Sequence, residues 1–245
     1  MNTFKSLGLP DHLLQSVQDL GFEAPTPIQA LAIPAISAGS DLAGEAQTGS
    51  GKTAAFVLPI LARLCDTPSA ATPQVRVLTL APTRELALQV ALVFTSLAKR
   101  SPRPIGILGV IGGEPIEQQI ASLAQGVEVV VATPGRLLDL IDRGVVDLAA
   151  LEVLVLDEAD RLLELGFSDE LAALLTSIPK ERQTLVFSAT LPQSVLDLAK
   201  DVLRDPVTVR VDEAPAGPSG IHQRVIEVDR GARRMLLQHL LQTED

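Results

Sequence analysis

The sequence predicts an α/β fold: an open, mostly parallel sheet with helices on both faces. Three observations predict it. Short β-branched or apolar runs recur along the chain and stay apolar nearly throughout, the pattern of strands buried on both faces. Segments with helical spacing separate those runs. Polar and glycine-bearing motifs follow directly on the runs, where an open parallel sheet binds its ligands.

In chain order, residues 1–40 read as a helical lead-in. "DLAGEA" (41–46), "VRVLTLAP" (75–82), "IGILGVIGG" (105–113), "VEVVVATP" (127–134), "LEVLVLDE" (151–158), "QTLVFSAT" (183–190) and "PVTVRVD" (206–212) read as strands. "ELALQVALVFTSLAKR" (85–100) and "LLELGFSDELAALLTSI" (162–178) carry helical spacing. Residues 212–220, "DEAPAGPSG", read as a linker because Pro, Gly and Ala crowd together there. "IHQRVIEV" (221–228) is strand-like and "RRMLLQHLLQ" (233–242) helix-like. Strand–helix–strand order calls for right-handed connections.

Composition narrows the function. Hydrophobic residues make up 47% of the 245, enough for a sizeable core. No apolar run reaches the roughly 18 residues of a membrane span. The N-terminus shows no basic region followed by an apolar stretch, so no signal peptide is expected. The one cysteine, Cys65, cannot form an internal disulfide, which fits a reducing, cytoplasmic setting. A net charge of −10 argues against a globally basic nucleic-acid binder, so any polyanion must be held by a local site. Six Phe and no Trp or Tyr exclude a broad base-stacking platform. His12, His222 and His239 lie away from every motif, and no Cys/His cluster suits zinc.

The chemistry starts at "QTGSGKT" (47–53). Glycines let successive backbone N–H groups curl round an anion. Lys52 is placed to reach the β- and γ-phosphates of a nucleotide, and the Thr53 hydroxyl to bind Mg²⁺. Ala46 stands where the plain phosphate-loop pattern has its first glycine. "LVLDEAD" (154–160) then puts carboxylates where a buried strand ends. Asp157 is placed to hold the Mg²⁺ of the nucleotide, and Glu158 to orient or deprotonate water. The bland alternative is that Asp157 caps the following helix. "PTREL" places Thr83 and Arg84 after one strand, Gly112 and Gly113 follow another, "TPGR" places Thr133 and Arg136 after a third, and "SAT" places Ser188 and Thr190 after a fourth. Thr83, Thr133 and Thr190 could each be helix N-caps. As a set they supply hydroxyls, glycine N–H groups and two arginines, which suits contact with a phosphate backbone.

Taken together, "GFEAPTPIQ" (21–29), "AQTGSGKT" (46–53), "PTRELA" (82–87), "GG" (112–113), "TPGR" (133–136), "DEAD" (157–160) and "SAT" (188–190), with Phe4 upstream, resemble the first, RecA-like lobe of a DEAD-box RNA helicase. The resemblance covers residues 4–211. It implies that Phe22 stacks on adenine and that Gln29 and Thr26 bond its edge. Gln47, Thr48, Gly49, Ser50, Gly51, Lys52 and Thr53 are expected to hold ATP and its Mg²⁺. Lys52, Asp157 and Glu158 are the expected catalytic set. Pro82, Thr83, Arg84, Gly113, Thr133, Arg136, Asp139 and Phe167 are expected to face RNA, with a core position as the alternative for Phe167. Asp160, Ser188 and Thr190 are expected to couple the nucleotide to RNA. Contacts to phosphates and 2′-hydroxyls favour RNA over DNA without sequence reading.

The resemblance also implies a second lobe, of which residues 221–245 match only the start, and with it the arginines that family members bring to the γ-phosphate. The expected function is ATP-driven unwinding of RNA duplexes by the two-lobed protein. An ATP-dependent RNA clamp that never unwinds shares the same motifs, and strand-displacement and residence-time assays separate the two. A small-molecule kinase would need a lid, for which there is no candidate.

Overall fold

The computed structural model describes residues 3–67, 74–211, 225–229 and 231–243. The chain divides into two compact units, residues 1–211 and 212–245.

The first unit opens with a 3₁₀ turn, Phe4–Leu7, and helices α1 (Asp11–Asp19) and α2 (Pro27–Ser37). Seven strands follow: β1 (Leu42–Glu45), β2 (Val77–Leu80), β3 (Ile107–Val110), β4 (Val129–Ala132), β5 (Val153–Leu156), β6 (Gln183–Ser188) and β7 (Val207–Arg210). Between them lie α3 (Lys52–Asp66), α4 (Arg84–Leu97), α5 (Ile116–Ala124), α6 (Pro134–Asp142), α7 (Ala159–Glu164), α8 (Ser168–Ser177) and α9 (Gln193–Val202). The strands form one sheet in the order β3-β4-β2-β5-β6-β1-β7, and every neighbouring pair is parallel.

The apolar strand runs are explained by two cores, one on each face of the sheet. Val77, Val129, Val131, Val153, Val155 and Leu185 pack with α1–α4 on one face. Leu78, Leu80, Val130, Leu154, Leu156 and Val186 pack with α6–α9 on the other. Because side chains alternate along a strand, each central strand feeds both cores and has no polar face. The edge strands differ: β3 is only partly buried until Val110, and β7 is mostly exposed. The chain runs from β1 through β2 to the β3 edge over the first core, then returns through β4, β5, β6 and β7 over the second. Reversing direction while changing face keeps crossovers of one hand.

Two sequence expectations change. The helical run 162–178 is two helices, broken where Gly166 takes φ 85°, a left-handed turn that helix geometry cannot continue. In the strand-like run 221–228, Val225–Asp229 has no regular structure; residues 221–224 and the linker 212–220 lie outside the described residues. A single strand gains stability only from a neighbour, and none pairs with Val225–Asp229 among the described residues. Helix α10 (Arg233–Thr243) follows in the second unit. Among the described residues, no helix is long and apolar enough to cross a membrane.

Candidate functional site

Apart from "GFEAPTPIQ", which leads from α1 into α2, the sequence motifs sit at the carboxyl ends of the parallel strands. They fall into two groups that follow the sheet order: β1, β6 and β5 carry one, and β2, β4 and β3 the other.

The phosphate loop joins β1 to α3. Ala46 donates its N–H to the Ser188 carbonyl at 3.1 Å, extending the sheet by one residue. Its φ is not positive there, so a methyl group is tolerated where the plain pattern has glycine. The loop then turns on Gly49 and Gly51, at φ 84° and 92°. Ser50 closes it, donating its N–H and hydroxyl to the Gln47 carbonyl at 3.3 and 2.7 Å. Gln47, Thr48 and Gly49 are left exposed. A Cβ on Gly51 would lie 2.6 Å from Gln29 Nε2, so only glycine fits. Lys52 opens α3, and its Nζ is buried without a hydrogen-bond partner among the described residues. Thr53, half-buried, is the next residue. A 15-residue helix therefore points its positive end, its first N–H groups and a buried ammonium at the same loop.

Asp157 extends β5 by donating its N–H to the Leu80 carbonyl at 2.9 Å. The residue is 2% exposed, and Oδ1 has no partner among the described residues. Burial pushes its carboxyl up to about 6; the Lys52 charge opposes that rise and the Glu158 charge adds to it. The turn into α7 is made at Glu158, at φ 51° and ψ 55°, a conformation uncommon outside glycine. Glu158 holds the N-cap position without a side-chain cap bond, so helix capping does not account for Asp157. Both carboxylates are left with acceptor capacity at the phosphate-loop end of the sheet.

Asp160 behaves differently. Burial acts to raise its pKa, but hydrogen bonds, chiefly from Thr190, hold the carboxyl below its ordinary range. Thr190 donates both its N–H and its hydroxyl to Asp160 Oδ2, at 3.1 and 3.0 Å. Ser188 donates its hydroxyl to the Thr190 carbonyl at 2.6 Å and accepts the Asp160 N–H at 3.3 Å. Asp160, Ser188 and Thr190 thus form one closed knot, 28–30 residues apart in sequence. Thr190 is part of that knot and not a helix N-cap.

The "GFEAPTPIQ" element meets the loop through Gln29. Its Oε1 accepts the Thr26 N–H at 3.0 Å, and its Nε2 donates to the Gly51 carbonyl at 3.1 Å. Gln29 is 4% exposed, which rules out a solvated helix position. The Thr26 hydroxyl is buried without a partner, and the Phe22 ring is 38% exposed, outside the core.

The second group lines an open cleft of about 410 Å³: Pro82, Thr83, Arg84, Glu85, Gly112, Thr133, Gly135, Arg136 and Phe167. Thr83 caps α4 by accepting the Leu86 N–H at 3.2 Å, and still faces the cleft. Thr133 occupies the α6 N-cap position with its hydroxyl not used for capping. Arg136 donates to the Glu114 carbonyl at 3.1 Å. Arg84 makes no hydrogen bond or ion pair among the described residues. Phe167 both lines the cleft and packs against the second core. Two expected residues are absent from the lining. Asp139 is paired with Arg143 at 2.7 Å on α6, and Gly113 lies behind Arg84. Gly112, read with Gly113 as a source of backbone N–H groups, lines the cleft, and Glu85 and Gly135 line it without having been singled out as contact residues. Their signal was adjacency, since each sits inside a motif already quoted.

An all-parallel sheet with a phosphate loop after β1 and paired carboxylates after β5 defines a phosphate-loop α/β domain. The chain belongs to the DEAD/DEAH box helicase family, whose model matches residues 26–198. It is 44% identical, over its whole length, to the RNA helicase CrhR of Synechocystis, covering 48% of that protein. It is 42% identical over 99% of its length to the ATP-dependent RNA helicase DeaD of Escherichia coli, covering 38% of it. A solved DEAD box protein from Methanococcus jannaschii superposes with a TM-score of 0.78 at 33% identity, covering 100% of this chain and 64% of that one. The chain spans about half the length, or less, of the curated relatives it matches.

Proposed function

We propose that residues 1–211 are the nucleotide-binding lobe of an ATP-dependent RNA helicase, holding Mg·ATP at the phosphate loop and one side of an RNA strand in the cleft. Residues 212–220 would be the interdomain linker and residues 221–245 the start of a second lobe. The observation that carries the reading is Lys52 Nζ and Asp157 Oδ1, both buried and both unpartnered at the loop. Buried groups of this kind cost free energy unless a ligand completes them. A nucleotide triphosphate with a divalent cation completes both.

The residues fit Mg²⁺ carried in by the nucleotide. Asp157 Oδ1 and the Thr53 hydroxyl are oxygen donors of the right type. Among the described residues no cluster of three His, Cys, Asp or Glu side chains could hold a metal unaided. Bound Mg²⁺ supplies charge neutralisation across the phosphates. The chain's own residues do the rest. Gly49 and Gly51 present backbone N–H groups to the phosphates, Ser50 adds its own once it leaves the Gln47 carbonyl, and Lys52 adds a charge-assisted contact. Glu158, turned by its left-handed backbone, is the group that orients water. Phe22 stacks on the adenine. Thr26, with its unspent hydroxyl, and Gln29, with one amide hydrogen left, read the adenine edge. Asp160, Ser188 and Thr190 tie the end of β6 to α7 and couple the nucleotide to the cleft. At the cleft Pro82, Thr83, Arg84, Gly113, Thr133, Arg136 and Phe167 serve the RNA, with Asp139 available once it leaves Arg143. A protein working on RNA and ATP in this way belongs in the cytoplasm.

The test is ATP turnover with and without single-stranded RNA, for residues 1–245 and for the full-length protein. The short chain is expected to bind adenine nucleotide and to hydrolyse it barely above background, with little stimulation by RNA. The cations of a second lobe are worth about 10³–10⁵ in rate in related phosphate-loop enzymes. The full-length protein is expected to show RNA-stimulated turnover. RNA-independent turnover by the full-length protein would overturn the reading.

A further inference from the structure

The loop Gly112–Glu114 touches both cleft arginines. The Arg84 guanidinium lies over Gly113: a Cβ on that glycine would come within 2.9 Å of Arg84 Cζ and closer still to one terminal nitrogen. A Cβ on Gly112 would stand 3.5 Å from the other terminal nitrogen, an ordinary contact. On the far side of the loop, Arg136 donates to the carbonyl of Glu114 at 3.1 Å. Arg84 is exposed and makes no hydrogen bond or ion pair among the described residues, so its five N–H donors remain free.

We infer that Gly113 is a positioning residue: its missing side chain is the seat on which Arg84 rests, and the loop spaces Arg84 and Arg136 as a pair for adjacent phosphates of one RNA strand. This rests on the reading of the cleft given above, and replaces direct RNA contact by Gly113 with action through Arg84. The physical gain is preorganisation. An unrestrained arginine has side-chain rotamer entropy to lose on binding. A guanidinium laid against flat glycine backbone has lost part of it before RNA arrives, without spending a donor on a carboxylate. Any Cβ at position 113 lifts the guanidinium off its seat.

A double-mutant cycle in the full-length protein tests this. The readout is the affinity of a fluorescent oligouridine in the presence of ATP, with the RNA concentration that half-stimulates ATP turnover as a second measure. Arg84→Ala is expected to weaken oligouridine binding about tenfold, the value of one charge-assisted contact. Gly113→Ala is expected to match it in the unmutated background and to cost nothing further beside Arg84→Ala. Gly113 has φ 85°, so alanine there is also strained; Gly113→Asn tolerates that conformation better and still carries a Cβ. It is expected to bind as weakly as Gly113→Ala. Nucleotide affinity without RNA is expected to stay unchanged in every variant.

Equal losses from Gly113→Ala in both backgrounds would overturn the inference, because strain in the loop acts whether or not Arg84 is present. Recovery of binding by Gly113→Asn would overturn it as well. Wild-type affinity in Arg84→Ala itself would instead remove the reading of the cleft.

Discussion

The two ends of the sheet treat charge in opposite ways. At the amino ends of the strands, Arg76 bridges Glu152 at 2.6 Å and Glu128 at 3.4 Å. Arg103 donates to Glu128 at 2.9 Å and to the Leu64 carbonyl at 2.7 Å. Gln183 receives Arg63 and donates to the carbonyls of Ile36 and Ser40. At the carboxyl ends, Lys52 and Asp157 are just as buried, yet neither Lys52 Nζ nor Asp157 Oδ1 has a partner. Buried charge at the amino ends finds counter-charges or carbonyls within the fold, with only Arg103 Nε and Arg182 Nε left over there among the described residues. At the carboxyl ends it waits for a ligand, and free-state stability is lower for it. Function sits where the accounting is left open.

The largest expected effect concerns the open end. In the full-length protein, Glu158→Gln should lower kcat for ATP by about 10²–10⁴-fold, the usual range for a positioned general base. Nucleotide affinity should hardly change, and single-turnover kinetics with titration calorimetry separate the two. Surviving turnover would mean that another group orients the water.

Next come two charge-removing changes that should have opposite signs. Glu128→Gln strips the carboxylate from two arginines and should destabilise the protein by about 3 kcal/mol. Asp157→Asn should stabilise the ligand-free protein by about 1–3 kcal/mol at pH 7 and abolish Mg²⁺-dependent nucleotide binding. The sign follows from the raised carboxyl pKa. Above about 6 the folded protein bears the buried charge of Asp157, and the unfolded chain carries it at no such cost. As pH falls from 6 toward 4 the folded carboxyl protonates first, and the penalty disappears. Urea melts should therefore show a constant advantage for Asp157→Asn above pH 7 that shrinks to nothing near pH 4. An advantage that grew toward low pH would contradict the burial argument.

Lys52→Ala should weaken ATP binding about tenfold or more, the value of a charge-assisted hydrogen bond. Unchanged affinity by calorimetry would remove Lys52 from the triphosphate site. The smallest effect belongs to the exposed cleft. Arg84→Ala should reduce the slope of log affinity against log salt by about 0.7, the increment for one phosphate contact with a single strand. Nucleotide binding, held by buried groups that salt screens poorly, should show much less salt dependence.

The comparison also shows which features were legible in the chain. "QTGSGKT" and "DEAD" could be read because each is a short contiguous run whose backbone does the work: glycines turn, a helix begins, a strand ends. The amino-end network was not read, since Arg76, Glu128 and Glu152 each precede a different strand and meet only when those strands align. The burial of Gln29 against the loop could not be read from composition, because its partner Gly51 is 22 positions away. The helical run through Gly166 read as continuous because apolar spacing survives the break. The Val225–Asp229 stretch read as strand because β-branched residues carry that preference whether or not a neighbour exists to pair with.

The sequence by itself determined the parallel sheet, the order of its elements, and the loops at its carboxyl ends, because strand burial and turn chemistry are written in local residue types. Only the tertiary structure decided which charges are paired and which are left open. It seated Arg84 on Gly113, closed Asp160, Ser188 and Thr190 into one knot, and buried Lys52 Nζ and Asp157 Oδ1 without partners among the described residues. Those outcomes depend on distances between residues tens of positions apart, and such distances exist only once the strands have taken their places in the sheet.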